Sequence, residues 1–154
     1  CRIIFRPLPQ AGRRLSAHAA AARRIAELLA QAPGGHYVDS TPRFGWQRDV
    51  GDALLCDISA VAVDWLPTGK PLVVTKPVQP LAPILSGGML ASLPLLSVES
   101  ADEVVAALDA AATPVARALL GEWSDYYFAP CDVHTFVAAV LDLAGVDAGD
   151  RAAE

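Results

Sequence analysis

Apolar residues occur along the chain in two patterns, as short continuous runs and at helical spacing. Continuous runs bounded by proline, glycine or charge are typical of buried strands, whereas helical spacing predicts amphipathic helices. Strands alternating with helices indicate a parallel sheet with helices on both faces. The pattern therefore predicts an α/β, Rossmann-like fold in which the run 53–56, apolar throughout, is a central strand. The predicted strands cover 2–6, 36–39, 53–56, 71–75 and 93–98, and the predicted helices cover 14–32, 60–69, 101–112, 114–123 and 132–144, with one further helical turn before residue 50.

Three local features refine these elements. Gly69 is placed to close the helix that begins after Ser59. Ser100 and Glu103 have the spacing of a capping box for the helix over 101–112. The segment 76–92 is rich in proline and glycine, which predicts a long loop of the kind that often faces a ligand.

Length and composition favour one globular domain. The chain has 154 residues, of which 53% are hydrophobic and 19% charged, a composition that suits a packed core and excludes a disordered chain. We expect a single domain over 1–145 and a flexible tail over 146–154. Because the chain begins at Cys1 and enters a strand almost at once, we also expect it to be a piece of a longer protein.

The charge pattern bears on the class of ligand. A net charge of −5 argues against a nucleic-acid partner. Eight of the 12 Lys and Arg residues lie in the first 50 positions, whereas acidic residues collect after Asp49. The early part of the chain is therefore the more favourable place for an anion.

Cysteine and histidine spacing indicates neither a disulfide framework nor a metal site. Cys1, Cys56 and Cys131 are odd in number and form no CxxC pair, so we expect a reducing compartment. The three histidines lack the i, i+4 partner of a helical metal site, and we expect them to be structural or exposed.

No apolar run approaches the roughly 18 to 20 residues that a membrane span requires.

The ends of the predicted strands are the places where we expect a ligand, because open parallel sheets bind ligands beyond the carboxyl ends of their strands. In the segment DISA, the Ser59 hydroxyl and consecutive backbone N–H groups at a helix start can hold a phosphate or pyrophosphate. Arg6 and Lys76, at two other strand ends, can converge on that anion, and Asp64 can meet a ligand hydroxyl. The predicted strand ends are 6–9, 39–41, 57–60 and 75–77.

Each of these residues also has an ordinary structural interpretation. Ser59 can be a helix N-cap, and Asp57 can stabilise the loop before it. Asp64 can be a solvated carboxylate, and Arg6 and Lys76 can be exposed surface cations. From the spacing alone, both interpretations stay open.

Other motifs are less informative. The aromatic cluster at 123–128 can stack on a base, although closing the core is the more frequent use of such residues. The sequence contains neither a Walker loop nor a GxGxxG motif.

Two neighbouring segments, DALLCDISAV at 52–61 and DWLPTGKPLV at 64–73, match without a gap a pattern of the form aDvlvtDySSvxxDflxtxkPvif. This pattern belongs to the CDP-glycerol glycerophosphotransferase (teichoic-acid polymerase) family, which the chain resembles. RPLP at 6–9 is similar to the family's RPHP strand end, and 123–128 resembles its late tyrosine-rich element, so the resemblance extends over roughly 2–143. Leu8 stands where the family has histidine, and Ala60 stands where it has a second serine.

The resemblance implies the donor-binding, C-terminal half of a GT-B fold. It implies that Asp57, Ser59 and Ala60 contact the pyrophosphate of a CDP-linked alcohol phosphate, with Asp64 on the same helix and Arg6 leading into the phosphate-facing loop. Lys76 joins this set by its position at a strand end. The donor is a substrate, so no cofactor is implied.

The resemblance also implies a biological setting. It suggests a cytoplasmic bacterial protein of cell-wall polymer synthesis, peripheral at the inner face of the membrane, whose acceptor site and base belong to an N-terminal domain of the same chain. The present chain alone is then expected to bind its donor weakly and to turn nothing over.

Three classes of function stay open beside each other. The first is the glycerophosphotransferase-like enzyme, either active or divergent. The second is the donor domain of another GT-B nucleotide-sugar glycosyltransferase or epimerase. The third is a non-catalytic Rossmann-like module, which Leu8 favours because the histidine that would contact or protonate the leaving phosphate is absent.

Overall fold

A computed structural model describes residues 1–7, 16–42, 44–78 and 84–145. The chain divides into two compact units, Cys1–Asp52 and Ala53–Glu154. Leu8, the predicted tail 146–154 and part of the predicted loop 76–92 lie outside the described residues. The prediction of one domain over 1–145 stays a prediction.

The first unit is a small β-α-β arrangement. Its two strands are parallel, with Ile4 opposite Tyr37 and Phe5 opposite Val38, as the predicted order of elements requires. The backbone N–H of Asp39 donates to the carbonyl of Phe5 at 2.8 Å, so the pairing continues one residue beyond the strands. The elements of this unit are β1 (Ile4–Phe5), α1 (Ser16–Gln31), β2 (Tyr37–Val38) and α2 (Trp46–Val50).

The second unit is built on a three-stranded parallel sheet in the order β3-β4-β5. The register places Cys56 opposite Val74, and Val74 opposite Leu95. Gly69 follows the turn after α3 in the left-handed conformation, with φ +61°, and closes the helical segment as predicted. The elements are β3 (Leu54–Cys56), α3 (Ala60–Trp65), a 3-10 turn (Leu66–Thr68), β4 (Leu72–Thr75), α4 (Met89–Ser92), β5 (Leu95–Leu96), a second 3-10 turn (Ala101–Glu103), α5 (Val104–Ala111), α6 (Pro114–Tyr127) and α7 (Val133–Leu143).

Helices cover both faces of this sheet, which confirms the predicted α/β, Rossmann-like class. Successive side chains of a strand point to opposite faces. Leu72 and Val74 therefore pack on one side, in a cluster with Trp65 of α3 and Leu120 of α6. Val73 packs on the other side, against α5.

The prediction of a central strand over 53–56 is wrong for this sheet. β3 lies at an edge, and Leu55 is 42% exposed. The central strand is β4, whose first three residues are fully buried because strands flank it on both edges and helices cover both faces. A continuous apolar run is compatible with either position, so only the pairing distinguishes them.

The predicted capping box at Ser100 and Glu103 is also wrong. The chain enters α5 through a 3-10 turn, and Ser100 makes no side-chain capping bond to it. Instead, the Ser100 hydroxyl accepts a hydrogen bond from the backbone N–H of Ser97 at 3.0 Å. The serine therefore stabilises the end of β5 rather than the start of the helix.

The C-terminal helices differ from expectation in their exposure. α6 continues to Tyr127, four residues beyond the predicted end, and Tyr126 is 73% exposed. Only Trp123 of the aromatic cluster packs against the core, so the predicted core-closing role applies to that residue alone. α7 begins at a well-formed cap, where Asp132 accepts backbone hydrogen bonds from two first-turn residues, and its apolar face is exposed.

No single helix among the described residues is long and apolar enough to cross a membrane. Two consecutive helices, Ala101–Ala111 and Pro114–Tyr127, reach the required length and composition only together, and they are bent by 78° at their junction.

Candidate functional site

The three strands of the second unit end at one edge of the sheet. Because β3, β4 and β5 are parallel and in register, Asp57, Lys76 and Ser97 each come directly after a strand at that edge. Neighbouring strands are about 4.8 Å apart. The structure thus brings the predicted segment 57–60 and Lys76 to the same side of the unit.

Ser59 occupies the N-cap position of α3 without acting as a side-chain cap. Its backbone is extended, with φ −152° and ψ 165°, and its hydroxyl makes no capping hydrogen bond. The Ser59 carbonyl accepts from the N–H of Ala62 at 3.1 Å. The side-chain capping interpretation is therefore wrong, and the hydroxyl does not occupy the first N–H groups of the helix, which begin at Ala60.

Asp57 is an exposed carboxylate that has an electrostatic effect on its neighbour. Burial, and then the charge of Asp57, raise the pKa of the Cys56 thiol to about 12. Cys56 is consequently protonated at neutral pH, and a nucleophilic thiolate at this strand end is excluded.

Asp64 lies farther along α3, about one and a half turns beyond Ser59. Its side chain is exposed, while the neighbouring Trp65 is buried in the core. The Trp65 indole N–H lies 3.1 Å from the Lys70 carbonyl and 3.2 Å from the Pro71 carbonyl, which ties α3 to the start of β4. Trp65 thereby fixes the helix that carries Asp64.

Lys76 is exposed and has an acidic neighbour that sequence reasoning did not identify. The pKa of the Glu99 carboxyl is lowered, first by a hydrogen bond with Ser97, with a smaller contribution from the charge of Lys76. The Lys76 ammonium group therefore lies near one exposed carboxylate, that of Glu99. Glu99 lies three residues beyond β5, and no sequence motif marks it.

Arg6, the remaining predicted site residue, belongs to the first unit. It follows β1 directly, and its Nη1 atom donates to Asp39, which follows β2. The same Nη1 lies 3.3 Å from the Thr41 hydroxyl, and the guanidinium carbon lies 5.8 Å from the centre of the Phe44 ring. Arg6 is thus held in place on one edge of its guanidinium.

Asp39 is the centre of this network. It is 1% exposed and accepts hydrogen bonds from Arg6, from Gln47, from the Thr41 N–H at 2.9 Å and from the Thr41 hydroxyl at 2.7 Å. Burial raises the pKa of this carboxyl, but the hydrogen bonds from Thr41, Arg6 and Gln47 outweigh it and lower the pKa to about 2. The sequence marked 39–41 as a strand end, whereas the contribution of Gln47, from α2, had no sequence signal.

Among the described residues, no group of three or more His, Cys, Asp or Glu side chains is placed to hold a metal ion. The expected convergence of Arg6 with Lys76 at Ser59 stays a prediction. What the second unit offers is a hydroxyl, helix-start N–H groups and a lysine at one sheet edge.

The sequence matches no protein-family model, and a search of curated proteins also found no match.

Proposed function

We propose that this chain is the donor-binding part of an enzyme that transfers an alcohol phosphate from a CDP-linked donor to a hydroxyl acceptor, as CDP-glycerol glycerophosphotransferases do. The observation that carries the proposal is the ungapped motif over 52–73. Its polar residues fall where a strand ends and a helix begins, at the edge where parallel sheets bind ligands.

Each residue has a distinct role in this proposal. The Ser59 hydroxyl, which makes no capping hydrogen bond to α3, and the N–H of Ala60 donate to the pyrophosphate of the donor. Lys76 neutralises part of its charge, and Asp57 orients the loop. Asp64 accepts a hydrogen bond from a hydroxyl of the donor.

The reaction would be an in-line substitution at phosphorus. The acceptor oxygen forms a bond to the β-phosphorus of the donor, the bond from that phosphorus to the bridging oxygen breaks, and CMP leaves. The acceptor proton passes to a base outside this chain. The residues of this chain supply positioning and charge stabilisation, which are the main sources of rate in phosphoryl transfer.

The proposal includes a setting and partners. The enzyme acts in cell-wall polymer synthesis at the inner face of the bacterial membrane, and an N-terminal domain of the same protein completes the acceptor site. Its other ligand is a nucleotide-linked small molecule rather than a nucleic acid.

A titration of the chain with CDP-glycerol, CMP, UDP-glucose and buffer tests this proposal, with amide NMR shifts of 57–62 as the signal. We expect CDP-glycerol and CMP to shift these amides and UDP-glucose to do so less. Ser59→Trp should abolish the shifts because the indole fills the space in front of the helix start. Ser16→Trp, the same change at an exposed position of the first unit, is the matched control.

The other outcomes separate the alternatives. A preference for UDP-glucose would indicate another GT-B donor domain. Absence of any shift at millimolar CDP-glycerol, with the same result for a longer form of the protein, would contradict the proposal and support a non-catalytic module.

A further inference from the structure

Among the described residues, those that line an open cavity of about 510 Å³ all belong to the first unit. This volume lies within the range of about 300–1,000 Å³ that is usual for small-molecule sites. Its lining includes Ile4 and Tyr37, which are opposite each other in the sheet, and Trp46 and Val50 of α2. The lining is completed by Arg2, Gly35, His36 and Thr41.

Two aromatic rings in the lining retain open surface. The rings of Tyr37 and Trp46 meet edge to face, with centroids 5.9 Å apart and planes inclined by 67°. Tyr37 is 46% exposed and Trp46 is 37% exposed, so both residues keep surface that the core does not cover. Such a pair offers a planar ligand one ring to stack on and one ring edge to meet.

The polar groups of the lining favour an anion. The Arg2 guanidinium lies beside Gly35, whose backbone has φ +64°. Among the described residues, no hydrogen-bond acceptor is recorded for Arg2, for the Tyr37 hydroxyl or for the Trp46 indole N–H. None of the described residues that line the cavity carries a carboxylate. The lining therefore has a surplus of hydrogen-bond donors, and it carries the positive charge of Arg2.

His36 does not alter this balance because both of its ring nitrogens are engaged. Nδ1 accepts from the backbone N–H of Ile3 at 3.1 Å, which leaves Nε2 to donate to the Pro33 carbonyl at 2.9 Å. The histidine holds the turn between α1 and β2 against β1. It thereby fixes the turn that contains Gly35, beside which the Arg2 guanidinium lies.

From this arrangement we infer that the cavity of the first unit binds a nucleoside monophosphate, with its base on Trp46 and its phosphate on Arg2. Stacking on an aromatic ring is tolerant of base identity, so adenosine and cytidine nucleotides both fit this chemistry. A guanidinium matches the geometry of phosphate oxygens, and the Tyr37 hydroxyl is an additional donor. The inference is independent of the donor proposal, since the eight lining residues that the structure describes belong to Cys1–Asp52.

The test is an NMR titration of the whole chain with AMP, CMP, adenosine and inorganic phosphate. The Trp46 indole N–H signal reports on the cavity. The Trp123 indole N–H, which donates to Ser92 at 2.9 Å in the second unit, is the internal reference. We expect saturable movement of the Trp46 signal with both nucleotides, weaker movement with adenosine, and none with phosphate alone at the same concentration.

Two pairs of variants assign the contacts. Arg2→Gln should weaken AMP binding by about five- to tenfold and leave adenosine binding unchanged, whereas Arg2→Lys should retain most of the AMP affinity. Trp46→Leu should weaken both ligands by about tenfold or more, whereas Trp46→Phe keeps a ring and most of the affinity. For the variants without Trp46, the amide of Tyr37 replaces the indole as the signal and also reports that the strand pairing is intact.

The outcomes separate this inference from the proposed function. If neither nucleotide moves the Trp46 signal at millimolar concentration, the inference is wrong, whatever CDP-glycerol does at 57–62. If AMP moves it but Arg2→Gln has no effect, the assignment of phosphate to Arg2 is overturned. Shifts at Trp46 with CMP, without shifts at 57–62 in this chain or in a longer form of the protein, would support this inference and count against the donor proposal.

Discussion

The substitution Asp39→Asn should destabilise the first unit by about 2 kcal/mol at pH 7. The two carboxylate oxygens have different partners: Thr41 donates twice to Oδ1, whereas Arg6 and Gln47 both donate to Oδ2. An asparagine that keeps its oxygen toward Thr41 turns its amide NH₂ toward two donors. It therefore loses two hydrogen bonds to a charged acceptor, one from Arg6 and one from Gln47, at a site that is 1% exposed.

The magnitude follows from typical hydrogen-bond energies. At the lower end of the range for hydrogen bonds to charged groups, about 1.5 kcal/mol each, the two lost bonds amount to about 3 kcal/mol. The Arg6 side chain is 19% exposed, so water recovers part of its lost interaction and the total falls to about 2 kcal/mol. Asp52→Asn, an exposed carboxylate of the same unit, is the matched control and should change stability by less than about 0.5 kcal/mol.

The pH dependence gives this prediction a second, independent readout. The pKa of Asp39 is about 2 in the folded protein and 3.8 ordinarily, so the unfolded chain binds the proton more readily. The resulting stabilisation is present above about pH 4 and is lost as the pH falls toward 2. We expect it to be about 1 kcal/mol, less than the full pKa difference, because solvent near this small unit screens the charges.

The assay is urea denaturation followed by amide NMR intensities, with Tyr37 reporting on the first unit and Val74 on the second. Asp39→Asn should lower the midpoint for Tyr37 and leave that for Val74 in place. The difference in the Tyr37 urea midpoint between wild type and variant should become smaller as the pH falls from 6 to 2.5. An equal midpoint for Tyr37 at pH 6, or a gap that does not change with pH, would refute the assigned hydrogen bonds or the lowered pKa.

Two further predictions concern the second unit and the thiols. Labelling with a thiol reagent at pH 8 should modify the exposed Cys1 and Cys131 quickly and Cys56 slowly, because a pKa of about 12 leaves about one Cys56 thiol in ten thousand ionised. Mass spectrometry of timed samples measures the three labelling rates. Equal rates would contradict the raised pKa of Cys56. Leu120→Ala should lower the free energy of unfolding by about 2–5 kcal/mol, since this side chain is 2% exposed in the main core. Leu143→Ala, at an 88% exposed position, is the control and should have almost no effect. Similar urea midpoints for the two variants would show that Leu120 is not a core residue.

The helices were the most predictable elements. The helix expected over 14–32 is Ser16–Gln31, and the turn after it contains Gly34 and Gly35, both at positive φ. Helical spacing and glycine termination are local properties, so they can be recognised without knowledge of neighbours. The strands were found in order but were shorter than expected, because their ends depend on pairing with other strands.

The candidate site was predictable in position and less so in contacts. The segment 57–60 does follow a parallel strand and does open a helix, as expected. The Ser59 hydroxyl makes no capping hydrogen bond, which depends on the backbone angles of the loop. Lys76 has Glu99 as a neighbour, and Glu99 is more than 20 positions away in the sequence.

The sequence by itself determined the order of strands and helices, the α/β class and the strand ends where polar side chains occur. Each of these follows from local periodicity and from the conformational preferences of glycine and proline. Tertiary structure alone decided that β4 rather than β3 is central, and that Arg6 meets Asp39 across 33 positions of sequence. The physical reason is that burial and hydrogen bonding depend on which segments become neighbours, and a local pattern carries no information about the partner that a strand edge or a charged group will find.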